Sequence, residues 1–285
     1  MDKSVCRMHE NDTKHSPQPE WKRFFPAADH RWAMGLRRGN AAEFLAPSEV
    51  AKQVRAERSH WLKDDPHKYA ALTPVAETSL NETVEWARSL GVEIDASLSP
   101  WEQLLSLGRA WEVDFVWLVV DEVGIYRVAG GVVCFPSSWA LQAKLGCTLS
   151  ETHHPVAGLN AALGRQIDTF LNKLVPEEAW LRENAGYCRS ADRNQHPTRR
   201  SQPLDAAISL DEVWVRLEHQ MLLKMPLSKS VLFAIRVEVV PLQQVLESAE
   251  AAANLARHLI TMSPAAAEYK GLSMARDAIL LLTRR

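Results

Sequence analysis

The chain has 285 residues, enough for one large domain or two small ones, and a hydrophobic content of 46% can fill a real core. Its 33 Lys+Arg against 35 Asp+Glu leave a net charge of -2, which gives no global drive toward nucleic acid or an anionic membrane. Cys6, Cys134, Cys147 and Cys188 have neither CxxC spacing nor an obvious pairing, which argues against a disulfide framework or a zinc site and for a reducing cytoplasm.

No apolar run reaches the roughly eighteen residues a membrane helix needs, and the polar N-terminus lacks the apolar core of a signal peptide. Residues 1–20, polar with two prolines, read as a flexible leader, and 21–285 as a single domain. Trp21, Phe24, Phe25 and Trp32 are dense enough to lie across a core edge. Pro47 to Leu62 has helical character with Ser48 as N-cap, and a second helix over Leu80 to Leu90 stops at Gly91. Ser99-Pro100-Trp101-Glu102 is a capping box with proline at the first helical position, and starts a third helix that runs to about Ala110.

The period then changes. Val113 to Val120 and Ile125 to Phe135 are rich in β-branched and aromatic residues, with Asp121 to Gly124 as the turn between them. Gly130-Gly131 inside the second strand signals a bulge or a close approach of backbone to a ligand. A helix follows over Asn160 to Leu174. An irregular stretch from Gly186 to Pro203 then carries Arg189, Arg193, Arg199 and Arg200 against Asp192 alone: a solvated run, or a dock for an acidic partner or an anionic cofactor edge. A second hairpin comes next, from Val213 to Leu222 and from Val231 onward, joined by Met225 to Ser228. Helices fill the chain after Pro241, one through His258 and another from Ser263-Pro264 to the end. The order implies an α+β fold with an antiparallel sheet.

The usual nucleotide, esterase and metalloprotease motifs are absent, so chemistry must come from scattered side chains or a bound cofactor. Thr148-Leu149-Ser150-Glu151 has capping-box spacing, and a short helix there carries His153 and His154 toward Pro155. A histidine ending a short rigid element beside a sheet is a candidate heme ligand; a His pair is also an ordinary surface or capping feature. In the second hairpin Arg216, Glu218 and Gln220 share one face. Turned inward, that face sets an arginine suited to a propionate and a glutamate suited to a cationic amine; turned outward, it is an edge in solvent.

The run from Val128 to Gly158 resembles the alpha-subunit family of heme-dependent oxidative N-demethylases. Cys134-Phe135-Pro136-Ser137 with Trp139 is similar to its CFPSxW, Lys144-Leu145-Gly146 to its K-[LI]-G, and His153, Pro155, Val156 and Gly158 to its HxPVPG. The likeness continues through Arg182-Glu183-Asn184, Arg216 to Gln220 and the VLFAIR strand ending at Arg236. It closes at Tyr269-Lys270-Gly271 and covers about residues 24–275 in all. The chain departs from the family at Ala157, where it has proline, at Ala185, where it has tryptophan, and at His219, where it has arginine.

The resemblance implies a PAS-like antiparallel sheet that encloses heme b, with His153 as the iron ligand and Cys134 as the rival ligand. Phe135, Trp139, Asn184 and Arg236 then contact the cofactor, and Glu218 and Arg216 serve catalysis. It implies that O2 is activated, that a small amine loses a methyl group as formaldehyde, and that electrons come from separate reductase proteins carrying NADPH, flavin and iron–sulfur chemistry. The alternative is a heme-based gas sensor or a heme-binding protein without catalysis; the short Ala-rich helices after the last strand resemble no output module.

Overall fold

The computed structural model describes residues 19–154 and 158–284. Residues 1–18 of the expected leader, and Pro155, Val156 and Ala157 of the histidine motif, lie outside the described residues. Seven strands form one antiparallel sheet in the order β1-β5-β6-β7-β3-β4-β2. They are β1 (Arg37–Gly39), β2 (Ala70–Leu72), β3 (Asp114–Val120), β4 (Tyr126–Val132), β5 (Ala179–Cys188), β6 (Trp214–Lys224) and β7 (Val231–Pro241). The α+β expectation holds.

Helices α1 (Trp21–Phe24), α2 (Ala41–Leu45), α3 (Ala51–Asp64) and α4 (Pro66–Tyr69) precede α5 (Glu77–Ser89) and α6 (Pro100–Ala110). Both halves of the capping box at α6 form, Ser99 with the backbone of Glu102 and the Glu102 side chain with Ser99. Short α7 (Leu149–His153) and longer α8 (Leu159–Lys173) sit between the hairpins. The chain ends with α9 (Leu242–Leu246), α10 (Ala249–Thr261), α11 (Pro264–Tyr269) and α12 (Arg276–Leu282). The last expected helix is therefore two, broken at Gly271 with φ +68°. Among the described residues no helix is long and apolar enough to cross a membrane.

Ser48 does not cap α3. Its amide and hydroxyl donate instead to the Glu112 carboxylate at 2.8 and 2.6 Å, and Val50 takes the capping position. Glu112 is buried and needs those donors, so a distant partner outcompetes the local one.

The diglycine resolves into strand packing. Trp117 faces Gly130 and Leu118 faces Val128, so Ala129 is the extra residue of a bulge. A side chain at Gly131 (φ +146°) would sit 2.1 Å from the Phe115 carbonyl oxygen, and one at Gly130 would sit 2.7 Å from that of Ala71. The close approach is of neighbouring strands to each other.

Residues 186–188 belong to β5, and three of the four arginines that follow are paired within the chain. Arg189 binds Asp205 and Glu212, both at 2.6 Å, and Arg193 reaches Glu57 at 3.0 Å. Arg199 meets Asp192 at 3.3 Å and stacks on the Trp61 ring. Their charge closes this loop against the body of the protein.

Candidate functional site

A buried ion pair fixes the segment that leads to the site. Arg58 on α3 donates to Asp114 at 2.6 Å and to the Gly108 carbonyl at 2.8 Å. Asp114 also accepts from the amides of Cys134 and Phe135, at 2.7 and 2.9 Å. One carboxylate thus holds a cation and the start of the Cys-Phe-Pro-Ser turn. The turn is completed by backbone bonds between Pro136, Ser138 and Gln195, with Ser138 at φ +61°.

That turn delivers Ser137 to Glu218, 2.8 Å away. In β5 and β6, Arg182 lies opposite Gln220, Asn184 opposite Glu218 and Gly186 opposite Arg216, so the alternation puts these side chains on one face. Glu218 accepts from Ser137 and Arg216 (3.4 Å) through Oε1, and from Asn184 (3.1 Å) and Gln220 (2.9 Å) through Oε2. Arg216 is anchored on the carbonyls of Arg193, at 2.6 Å, and Phe135. Burial pushes the Glu218 carboxyl up, but Arg216 and the bonds from Asn184 and Ser137 hold it below the usual glutamate range. The row faces inward: Arg216 and Gln220 are buried and the Glu218 side chain is 13% exposed.

Along the same face Trp180, Leu222 and Phe233 pack with Trp139, Leu145, Ile167 and Phe170, and α8 covers them. Helix α7 stands beside α8, started by the expected box between Thr148 and Glu151. Lys144 caps its end by donating to the Thr152 carbonyl at 3.2 Å, and Asn160 donates to Ser150 at 2.8 Å. His153 lines a cavity of about 190 Å³ with Leu149, Asn160 and Ile167, which adjoins an open groove of about 620 Å³ along α8. Burial, then Arg182 and Lys144, hold the imidazole below its ordinary range, which favours its neutral form. Among the described residues its Nδ1 is buried with no partner, as are Thr152 Oγ1, Asn160 Oδ1 and Arg182 Nε.

Of the residues expected from the sequence, the fold gathers Trp139, Asn184, Arg216 and Glu218 on the side that α7 and α8 cover. Phe135 contributes its carbonyl there, while its ring is 1% exposed in the core, 5.5 Å from the Arg58 guanidinium. Arg236 lies opposite His219 and therefore on the other face from Glu218, where it binds Glu112 at 2.9 Å and the carbonyls of Phe44 and Ala46. Cys134 sits against Arg58 and Asp114 in the core, and burial pushes its thiol up to about 12. Two of the three departures from the family pattern also sit elsewhere: Ala185 pairs with Leu217, and His219 contacts Glu238 and the Phe24 ring, on the face away from Glu218.

Two cations that match the family pattern, but to which the sequence assigns no role at the site, also lie here. Arg182 shares the pocket face, and Lys270 reaches the Ala185 carbonyl at 2.7 Å. Burial pulls the Lys270 ammonium down to about 8, against an opposing pull from Glu218. The period-two alternation of β5 would have placed Arg182 beside Asn184; Lys270 is marked only by the Tyr269-Lys270-Gly271 likeness, which says nothing of its place in the fold.

The donor set suits a heme. Among the described residues no three His, Cys, Asp or Glu side chains converge as they would on a bare ion. Heme iron takes its equatorial ligands from the macrocycle and needs one imidazole, which His153 offers with a buried nitrogen that has no partner among the described residues. Trp139, Phe170 and Trp180 supply flat apolar surface nearby. A family model described as haem-dependent oxidative N-demethylase, alpha subunit-like, matches residues 66–280, a span that includes the Cys134 turn, His153 and Lys270.

Proposed function

The chain belongs to the haem-dependent oxidative N-demethylase alpha-subunit-like family, and from that premise we propose that it oxidatively demethylates a small methylated amine, using heme b held by His153. In the overall reaction one N-methyl amine, one O2, two electrons and two protons give the amine with hydrogen in place of the methyl group, one formaldehyde and one water. Bound beside His153, heme supplies the iron that activates dioxygen and takes electrons from the substrate. The electrons come from separate reductase proteins, in keeping with the family's description as an alpha subunit. The three described cysteines are unpaired, which supports a reducing, cytoplasmic setting.

The observation that carries this reading is the His153 imidazole, whose Nδ1 is buried with no partner among the described residues. His153 ligates; the box at Thr148 and the Lys144 cap fix the helix that aims it. Glu218 stays ionised and already uses both oxygens twice, so its part is to hold Ser137, Asn184, Gln220 and Arg216 in register. An amine that binds Glu218 must displace one of those donors. Trp139 and Trp180 exclude water from the pocket wall.

The test is a heme titration of the full chain followed by absorbance. His153→Ala should lose more affinity than the about 10- to 100-fold that loss of a second-shell hydrogen bond costs a metal site. The loaded protein is then given electrons chemically, oxygen and a panel of methylated amines, and formaldehyde is measured. An unchanged Soret band in His153→Ala refutes the ligand, and reversible oxygen binding with no formaldehyde from any amine refutes the reaction.

A further inference from the structure

A buried guanidinium without a counter-ion is costly, because it gives up hydration and gains nothing in exchange. Arg182 approaches that position: its side chain is half-buried with the Nε enclosed, and Glu218 and Glu183 attract it only at longer range. It makes no hydrogen bond or ion pair among the described residues, and its Nε is fully buried. Arg37, Arg58 and Arg193 also bury an unpartnered nitrogen, yet each is tied to a carboxylate through another one. Arg55 buries its Nε too, but on α3 and not on the pocket face. The nearest acid on the face of Arg182, Glu218, is committed to four other donors, and Glu183 is on the opposite face with Arg37. Close by, the Lys270 ammonium adds a second cation beside β5. The pocket face therefore carries more positive charge than its own carboxylate offsets.

From this geometry we infer that Arg182, seconded by Lys270, is the anchor of a buried carboxylate-binding subsite in the His153 pocket. The Nε–H and the neighbouring Nη–H of a guanidinium form a fork that matches the two oxygens of one carboxylate. Two occupants carry that group: a heme propionate, or the acid group of an N-methyl amino acid taken as substrate. The inference rests on His153 marking the cofactor and substrate pocket.

The test compares wild type with Arg182→Gln and Arg182→Lys, using four probes on the full chain. Heme and heme with both propionates esterified are titrated by absorbance; N-methylglycine and dimethylamine are titrated by calorimetry, onto heme-loaded and heme-free protein. Arg182→Gln should weaken one carboxylate-bearing probe about tenfold to a hundredfold while its uncharged or acid-free counterpart moves by less than about twofold. Arg182→Lys should recover part of the loss. Loss for heme but not its ester assigns the subsite to a propionate; loss for N-methylglycine but not dimethylamine assigns it to the substrate.

Ligand-free Arg182→Gln should unfold at the same or higher denaturant concentration than wild type, since the arginine has no partner to lose. Four unchanged affinities overturn the inference, as do four equally weakened ones, a destabilised ligand-free variant, or a wild type that binds none of the probes. Failure of the functional reading looks different: wild type takes up no heme, while the effect of Arg182→Gln on N-methylglycine binding to the heme-free chain still decides the subsite.

Discussion

Arg58, fully buried, and Arg182, half-buried, are two arginines held in opposite ways. Arg58 is wholly enclosed and has a carboxylate, a carbonyl and an aromatic ring for company. Its partner Asp114 also collects two backbone amides, so one ion pair ties α3, β3 and the Cys134 turn together. Arg182 has no such contact among the described residues, and Glu218 and Glu183 act on it only at longer range. The contrast separates scaffold from site: a charge that the fold satisfies holds the fold, and a charge it leaves bare waits for something else.

The most severe way to break the contrast is to make Arg58 resemble Arg182. Asp114→Ala leaves the guanidinium uncompensated and frees two buried amides, and should cost about 3–5 kcal/mol. Urea unfolding at neutral pH measures it; a loss below about 1 kcal/mol would mean water reaches Arg58.

Lys270 sharpens the comparison through pH. Its folded value of about 8 lies below the ordinary 10.5. Below pH 8 both states carry the proton and the folded state bears the full cost of enclosing it. Between pH 8 and 10.5 the unfolded state binds more protons, so stability rises with pH. Wild type should therefore gain on the order of 3 kcal/mol relative to Lys270→Gln across that window. Paired unfolding midpoints at about pH 7, 8.5 and 10 check this, and a constant difference would sink it.

The smallest effect concerns how firmly His153 is aimed. Thr148→Ala removes half of the box that starts α7 and should cost about 1 kcal/mol locally. Faster amide exchange confined to α7, with the global midpoint nearly unchanged, is the expected result.

The amino-acid sequence by itself determined what depends on neighbours along the chain. Both capping boxes, at Ser99 and Thr148, stand where their spacing put them, because side chain and backbone partner are three residues apart. The two long hairpins and the shared face of Arg216, Glu218 and Gln220 follow from period-two alternation. Alternation does not say which face meets the core, and only the turn at residues 135–137 and Arg193, folding onto that row, turned it inward. Ser48 and Arg236 both answer to Glu112, 64 and 124 residues away, and no local pattern encodes such a partner. The short strands β1 and β2 exist through pairing with β5 and β4, not through propensity. Whether an arginine is paired is likewise a tertiary fact. Arg58 and Arg182 look alike as letters, and only the arrangement of carboxylates around them makes one a brace and leaves the other bare.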